Sequence, residues 1–208
     1  MTVTINGATG ETTPGTTFTG STSGTILVQA ASVAGTNTVT LPAGTGTAAV
    51  QGVSTNIVQG TAQASTSGTA ITFTGIPSWV KRVTVMFKGV SGSGSSLIQV
   101  QIGAGSVQNT GYISSATSTT ATPVVGSSTT GFVVIGQGSS ASSVTGQFVL
   151  TNISGNIWIG SISGYAALNT PVCGGGTVTL SGVLDRVNIT TINGTDTFDA
   201  GSINILYE

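Results

Sequence analysis

Few residues in this chain have side chains that take part in acid–base or nucleophilic chemistry. Its 208 residues include no histidine, one cysteine, four Lys or Arg and five Asp or Glu. Enzymes that move protons or activate nucleophiles place such groups beside their substrate. The sequence therefore favours a structural or adhesive protein, not an enzyme, and it indicates no cofactor.

Three aspartates near the end of the chain form its acidic cluster. Asp196 and Asp199 lie three residues apart, with Asp185 nearby in the sequence. Carboxylates are ligands for Ca²⁺, and a carboxylate pair is what a glycosidase requires. The structural alternative is favoured, because Asn193-Gly194 is typical of a type I′ hairpin and an Asp beside such a turn commonly caps its own backbone. No catalytic, cofactor-binding or metal-binding residue is assigned, and a calcium ion near Asp196 and Asp199 stays an open alternative.

The basic residues are expected to have structural roles. Lys81, Arg82 and Lys88 are expected to solvate a sheet edge or to pair with Asp185 or Asp199, and Arg186 has the same explanation. The chain has no stripe of basic residues, so the sequence gives no support for nucleic-acid binding.

Aromatic residues are the candidates for adhesive contacts. Trp79 follows Pro77 and could stack on a carbohydrate, but packing at a strand entrance is the favoured interpretation. Tyr112 and Tyr165 border glycines, which favours loop positions suited to receptor contacts, whereas Trp158 could face either side of its strand. No receptor-binding residue is assigned.

The single cysteine excludes an internal disulfide framework. Cys173 precedes three glycines and is interpreted as a small buried apolar residue, with a reactive thiol as the alternative. The first residues contain no basic segment followed by an apolar core, which predicts no secretory signal and assembly in a cytoplasm. No stretch is apolar for the roughly 18 residues of a membrane helix, so no membrane insertion is expected.

The remaining composition indicates an all-β protein. Apolar residues make up 38% and charged residues 4% of the chain, and the formal net charge is −1. This combination predicts a folded chain, whereas disorder requires low hydrophobicity and high charge. So few charges leave sheet edges without the repulsion that keeps them apart, which predicts a homo-oligomer.

The chain is expected to have two parts joined by a linker. Residues 1–50 predict a small β module, with strands at 25–30 and 36–41, that needs a partner surface for stability. Residues 51–69 are small and polar and predict a linker that tolerates cleavage. Residues 70–208 predict an antiparallel β-sandwich, jelly-roll-like, because short strands alternate with Gly, Ser, Thr and Asn turns.

Within the second part, period-two alternation and apolar runs predict eight strands. They are expected at 82–88, 97–102, 131–135, 147–150, 156–161, 177–180, 185–192 and 202–207. The Ser/Thr run at 114–122, together with 124–126, predicts a surface loop.

Three segments resemble proteins of bacteriophage particles. FTGSTSGT at 18–25, continued through LPAGTGT at 41–47, resembles a module that recurs near the ends of phage fibre and virion surface proteins. ITFTGIPSWVKRVTVMF at 71–87 resembles the start of a β domain of phage and prophage tail-fibre-like proteins, and 184–208 is similar to its end. The resemblance implies a virion protein, usually trimeric, with a proximal attachment module and a distal β-sandwich.

These observations predict a homotrimeric phage virion protein, a short surface fibre or spike that adheres to the host. Expected partners are further copies, other capsid or tail proteins, and a host glycan or surface protein. The alternative is a capsid decoration protein or head fibre, which the short chain favours. An enzyme with a cleft containing Asp185, Asp196 and Asp199 is the weakest interpretation.

Overall fold

The chain divides into two compact units, Met1–Val50 and Gln51–Glu208. The structure, a computed structural model, describes residues 57–119, 123, 125–134, 142–166 and 170–208, and the backbone of 16–19 and 25–28. In the first unit, strands β1 (Thr16–Thr19) and β2 (Thr25–Val28) pair antiparallel, with Thr16 opposite Val28. The strand expected at 36–41 lies outside the described residues, whereas the one expected at 25–30 corresponds to β2.

The second unit contains strands of two to eleven residues. They are β3 (Val58–Gln59), β4 (Gln63–Ala64), β5 (Ala70–Thr74), β6 (Arg82–Gly92), β7 (Ile98–Ala104), β8 (Ser106–Val107), β9 (Ile113–Ser118), β10 (Val125–Ser128), β11 (Phe132–Val134), β12 (Val144–Ser154), β13 (Ile157–Ala166), β14 (Thr170–Thr179), β15 (Arg186–Thr191) and β16 (Phe198–Tyr207). The eight strands expected in this unit all overlap observed ones.

These strands form two antiparallel sheets. In the described part of the chain, the larger sheet has nine strands in the order β10-β9-β14-β13-β12-β6-β16-β3, and β4 also pairs with β16. The smaller sheet has the order β11-β7-β15-β5, with β8 on β7. The expected all-β antiparallel fold is confirmed, since the described residues contain no helix, and the arrangement is consistent with a β-sandwich.

Alternating burial along the strands produces one continuous core. In β13, Trp158 and Ile162 are buried while Ile157, Ile159 and Ser161 are exposed, as period-two geometry requires. Aromatic rings connect the sheets: Phe132 of β11 lies 5.1 Å from the ring of Tyr112 and 5.3 Å from that of Phe148 in β12.

Glycines of the larger sheet make room for these rings. A Cβ at Gly160 would overlap the ring of Phe148 and contact that of Phe132. Close packing leaves no space for it, so a side chain at this position would displace an aromatic ring.

Residues 57–69 are not a linker. β3 and β4 both pair with β16, and Gly60 N donates to Ile205 O at 2.8 Å. Ser65 is fully buried, and its Oγ donates to Ala200 O at 2.8 Å. The small polar residues that suggested a linker instead cover the edge of β16. Their backbone N–H and C=O groups make the hydrogen bonds to this strand, so the segment is held mainly by its backbone.

The surface loop expected at 114–122 and 124–126 is also wrong for much of its length. β9 lies between β10 and β14 inside the larger sheet. Ser114, Ala116 and Ser118 face the interior, and Gly174 and Gly176 of β14 lie opposite Ala116 and Ser114. The inward-facing positions of β9 hold small residues, so the sequence shows no alternation of hydrophobic and polar residues there. For this reason the sequence predicted a loop in place of a strand.

Candidate functional site

The three candidate acids lie in separate structural contacts. Asp185 binds the adjacent Arg186, with Arg186 Nε donating to Oδ1 at 2.7 Å, and accepts Gly105 N at 2.9 Å. The Arg186 guanidinium lowers the pKa of Asp185 through this hydrogen bond, against a smaller opposing effect of desolvation. Asp185 is therefore held as an ionised carboxylate, which does not suit a general acid.

Asp196 caps a loop between the two sheets. Its Oδ2 accepts Ser96 N at 3.0 Å, and its Oδ1 accepts Asn193 Nδ2 at 2.8 Å. Asn193 Oδ1 in turn accepts the backbone N–H groups of Thr195 and Asp196. Asp196 therefore has a structural role, but the expected capping of its own backbone is wrong: its carboxylate accepts Ser96 N from another loop, and Asn193 satisfies the N–H groups of the turn.

The type I′ hairpin expected at Asn193-Gly194 is wrong. Gly194 N donates to Thr191 O at 3.0 Å, which makes Ile192 and Asn193 the central residues of the turn. β15 and β16 on either side belong to different sheets. The turn therefore passes the chain from one sheet to the other and does not close a ladder.

Asp199 accepts a hydrogen bond from Ser91 Oγ on the neighbouring strand β6. Within the described residues, no three His, Cys, Asp or Glu side chains are grouped as metal ligands would be. The carboxylates act as hydrogen-bond acceptors in the loops and at β16, and their partners are already present in the chain.

The basic residues lie in or directly before two strands, β6 of the larger sheet and β15 of the smaller sheet. Arg82 Nη1 pairs with Glu208 Oε1 at 3.0 Å, not with Asp185 or Asp199 as expected. The expected pairing failed because β6 and β16 are neighbours, so Arg82 meets the end of the chain. Lys81 and Lys88 are exposed, but β6 lies between β12 and β16 inside the larger sheet, so the expected solvation of a sheet edge is wrong. Arg186 does pair with Asp185, one of the two expected partners.

Tyr112 is not a receptor contact. Its side chain is buried, and its hydroxyl accepts Ile102 N at 2.9 Å and lies 3.0 Å from Gln108 O. Burial raises the pKa of Tyr112 to about 12, against a smaller lowering by the hydrogen bond from Ile102. The adjacent Gly111 suggested a loop, but the ring is packed edge-on against Phe132.

The other aromatic candidates divide between core and surface. Trp158 is buried, whereas Trp79 is half-buried against the core with its ring 6.0 Å from that of Tyr207, which agrees with the favoured packing role. Tyr165 is 45% exposed, in β13 and not in a loop as expected. Tyr165 is therefore the candidate that the structure leaves accessible.

Cys173 is exposed, contrary to the expectation of a buried residue. It lies in β14 on the outward side, between Thr117 of β9 and Ser163 of β13. The glycines that follow it are half-buried, so the apolar context that suggested burial is absent.

A cleft of about 480 Å³ lies beside the start of β9. Its lining combines the exposed Ile113 and Ile192 with hydroxyl groups at Ser114 and residues 127–130. Ser128 Oγ and Thr130 Oγ1 already donate to Gln99 Oε1, at 3.1 and 3.0 Å. The cleft has no charged lining residue, and its one titratable group is the buried Tyr112.

The outer side of β10, β9, β14 and β13 is an uncharged surface, here called the neutral face. Its outward residues, exposed or half-buried, are Val125, Ser127, Ile113, Ser115, Thr117, Pro171, Cys173, Gly175, Thr177, Thr179, Ile157, Ile159, Ser161, Ser163 and Tyr165. Residues 89–184 contain no Asp, Glu, Lys or Arg, and this gap was the sequence signal for the surface.

Comparison with known proteins identifies no relative. No protein family, curated protein or solved structure matches the chain. In the part of the chain that the structure describes, no helix is long and apolar enough to cross a membrane. Function therefore has to be argued from the arrangement of the residues themselves.

Proposed function

We propose that this chain is a non-enzymatic phage virion protein, a homotrimeric short fibre or spike on the particle surface that adheres to the host. The observation that carries the proposal is the distribution of its polar groups. Asp185, Asp196 and Asp199 are engaged in internal contacts, while the exposed turns around Ser95 and Asn109 present hydroxyl, amide and backbone groups to solvent. Such groups suit binding by many weak contacts, which several linked copies strengthen.

The fold supports a jelly-roll-like distal domain. The first long strands pair with the last ones, β6 with β16 and β7 with β15, and β9 pairs with β14 inside them. Nested antiparallel pairs of this kind occur when a ribbon of strands wraps around a core as in jelly rolls. We propose this topology for Gln51–Glu208, with Met1–Val50 as the attachment module.

A second candidate is a capsid decoration protein or head fibre. The burial of Tyr112 and Trp158 favours it, because these aromatic rings are absent from the surface on which a host glycan would stack. Decoration requires contact with the shell and no receptor site.

Adsorption experiments distinguish the two candidates. Purified full-length protein should bind host cells and compete with the phage for adsorption if it is an adhesin. A matched Tyr165→Ala variant tests whether the exposed ring contributes. Binding to heads that lack tails, without any competition for adsorption, would instead assign the chain to decoration and reject the adhesive role.

A further inference from the structure

The neutral face has apolar side chains that nothing in the described chain covers. Ile113 is 74% and Val125 is 71% exposed, and Ile159 is 42% exposed. Ile113 and Ile159 flank Thr177 in one cross-strand row, so their side chains lie about 10 Å apart. Apolar groups gathered on one face are characteristic of interaction surfaces, whereas scattered single ones are ordinary.

Charge divides the larger sheet into two parts. Arg82 and Lys88 lie on β6, and Glu208 follows β16, whereas the four strands of the neutral face contain no charged residue. Solvent-facing surfaces of folded proteins usually carry charged residues at about one position in four. Depletion of charge is instead typical of the core of a protein interface.

The hydrogen-bonding groups of the face favour an identical partner. Ser115, Ser161 and Ser163 are exposed there, and every hydroxyl both donates and accepts. Copies that bring the same surface together around a threefold axis can therefore satisfy one another's hydroxyl groups without burying a charge. A carbohydrate partner would instead favour exposed rings, and in these strands the exposed aromatic residue is Tyr165, at one end of the face.

The strand dimensions show what area the contact can bury. The strands of the neutral face have ten (β13), ten (β14), six (β9) and four (β10) residues, and at about 3.3 Å per residue and about 4.8 Å per strand they cover roughly 480 Å² before side-chain relief is counted. The adjoining β12, whose eleven residues are also uncharged, raises this area to roughly 650 Å², close to the roughly 800 Å² per partner of a standard interface.

We propose that copies of this chain meet through the neutral face. The inference rests on the proposed homotrimer and names the surface that assembles it. The contact would bury Ile113, Ile159 and Cys173 and exchange hydrogen bonds among Ser and Thr hydroxyls.

Lysine substitutions test the surface by sedimentation of the full-length chain. Ser161→Lys and Ser163→Lys place a charge about halfway along the outward side of β13, on exposed positions where a lone chain tolerates it. Each should reduce the oligomer to monomer at micromolar concentration, with circular dichroism unchanged. Thr74→Lys, on an exposed position of β5 in the smaller sheet, is the matched control and should leave the oligomer intact.

Cys173 supplies a second measurement with the natural chain. As the single thiol of the sequence, exposed in the isolated chain, it should react with a maleimide about tenfold or more slowly in the assembled protein than in Ser161→Lys. Thr74→Cys in a Cys173→Ser background should react rapidly in both states.

Each other outcome has a distinct meaning. An oligomer that persists in Ser161→Lys, with Cys173 freely reactive, would reject this surface and leave the trimer standing. A wild-type monomer at micromolar concentration would reject the trimer and the surface together. Protection of Cys173 in intact particles alone would show that the face binds another virion protein and would overturn contact between copies. Failure to adsorb to hosts would bear on adhesion and not on this contact.

Discussion

The hydroxyl of Tyr112 connects the two sides of a chain reversal in the core. Ile102 N donates to this oxygen, and the hydroxyl proton can go to Gln108 O or to Ile102 O, which lie at 3.0 and 3.2 Å. One hydroxyl proton serves one acceptor at a time. The buried oxygen therefore satisfies a backbone N–H that has no access to water.

Tyr112→Phe should lower the free energy of unfolding by about 1–3 kcal/mol at neutral pH, because the buried Ile102 N–H loses its acceptor. Chemical denaturation measures the change. Tyr165→Phe, which removes the hydroxyl of an exposed ring, is the matched control and should alter stability by less than about 0.5 kcal/mol. Equal effects of the two substitutions would contradict the role assigned to the Tyr112 hydroxyl.

Because the pKa of Tyr112 is raised in the folded chain, the stability of the protein should fall at alkaline pH. Below pH 10 the folded and unfolded chains both keep the phenol proton, so its contribution to stability is complete. Between pH 10 and about 12 the unfolded chain releases the proton while the folded chain retains it, and stability falls. The stability difference between wild type and Tyr112→Phe should therefore narrow over this interval. A constant difference would show that the folded phenol ionises normally.

Residue-level prediction from the sequence failed where burial decides the role. Tyr112 and Cys173 were assigned from neighbouring glycines, yet one is buried and the other exposed. Glycine marks local backbone freedom and not the side of a sheet on which its neighbour lies. The contact of Asp196 with nearby Asn193 was accessible from the sequence, whereas its bond to Ser96 N, 100 residues away, was not.

At the scale of elements, hydrophobic alternation located the strands that carry large core side chains. β6 and β7 were recognised because Val and Ile recur at every second position. β9 and β10 were missed, since their inward positions are Ser, Ala and Gly and give no hydrophobic alternation. The pairing order of the sheets was not accessible, because partners such as β9 and β14 are far apart in sequence.

The edge formed by residues 57–69 should contribute measurably to stability. A chain of residues 70–208 would lose four hydrogen bonds: Gly60 N to Ile205 O, Ser65 N to Gly201 O, Ser65 Oγ to Ala200 O and Phe198 N to Gly68 O. It would also expose β16 as a bare edge, which promotes aggregation. We expect its free energy of unfolding to be about 2–4 kcal/mol lower than that of residues 51–208, at roughly 1 kcal/mol per lost hydrogen bond. Thermal unfolding with light scattering measures both effects.

A pair of point substitutions tests the same edge within the full-length chain. Ser65→Ala removes the buried hydroxyl that donates to Ala200 O, whereas Ser67→Ala changes an exposed position. The first should destabilise the protein and the second should not. If residues 70–208 were as stable as 51–208, the original interpretation of 51–69 as a linker would be restored.

At the scale of the whole molecule, the two units differ in what they can bury. Gln51–Glu208 contains a core of fully buried residues such as Phe132, Phe148 and Leu150. The described strands of Met1–Val50 form one hairpin of four-residue strands. An isolated two-stranded hairpin is at best marginally stable in water. We therefore expect the first unit to need a partner surface more than the second unit does.

This asymmetry predicts the direction of attachment to the particle, with Met1–Val50 bound to the virion and Gln51–Glu208 facing outward. Deleting residues 1–50 should abolish incorporation and leave a folded β-rich fragment, because the second unit keeps its own core and the 57–69 edge. Deleting residues 51–208 should permit incorporation and remove the outer function. Immunoblots of gradient-purified particles that carry tagged versions of each deletion measure incorporation. If particles incorporated the variant that consists of residues 51–208 but not the variant that consists of residues 1–50, the assignment would be reversed. The module that needs a partner surface would then have found none on the virion.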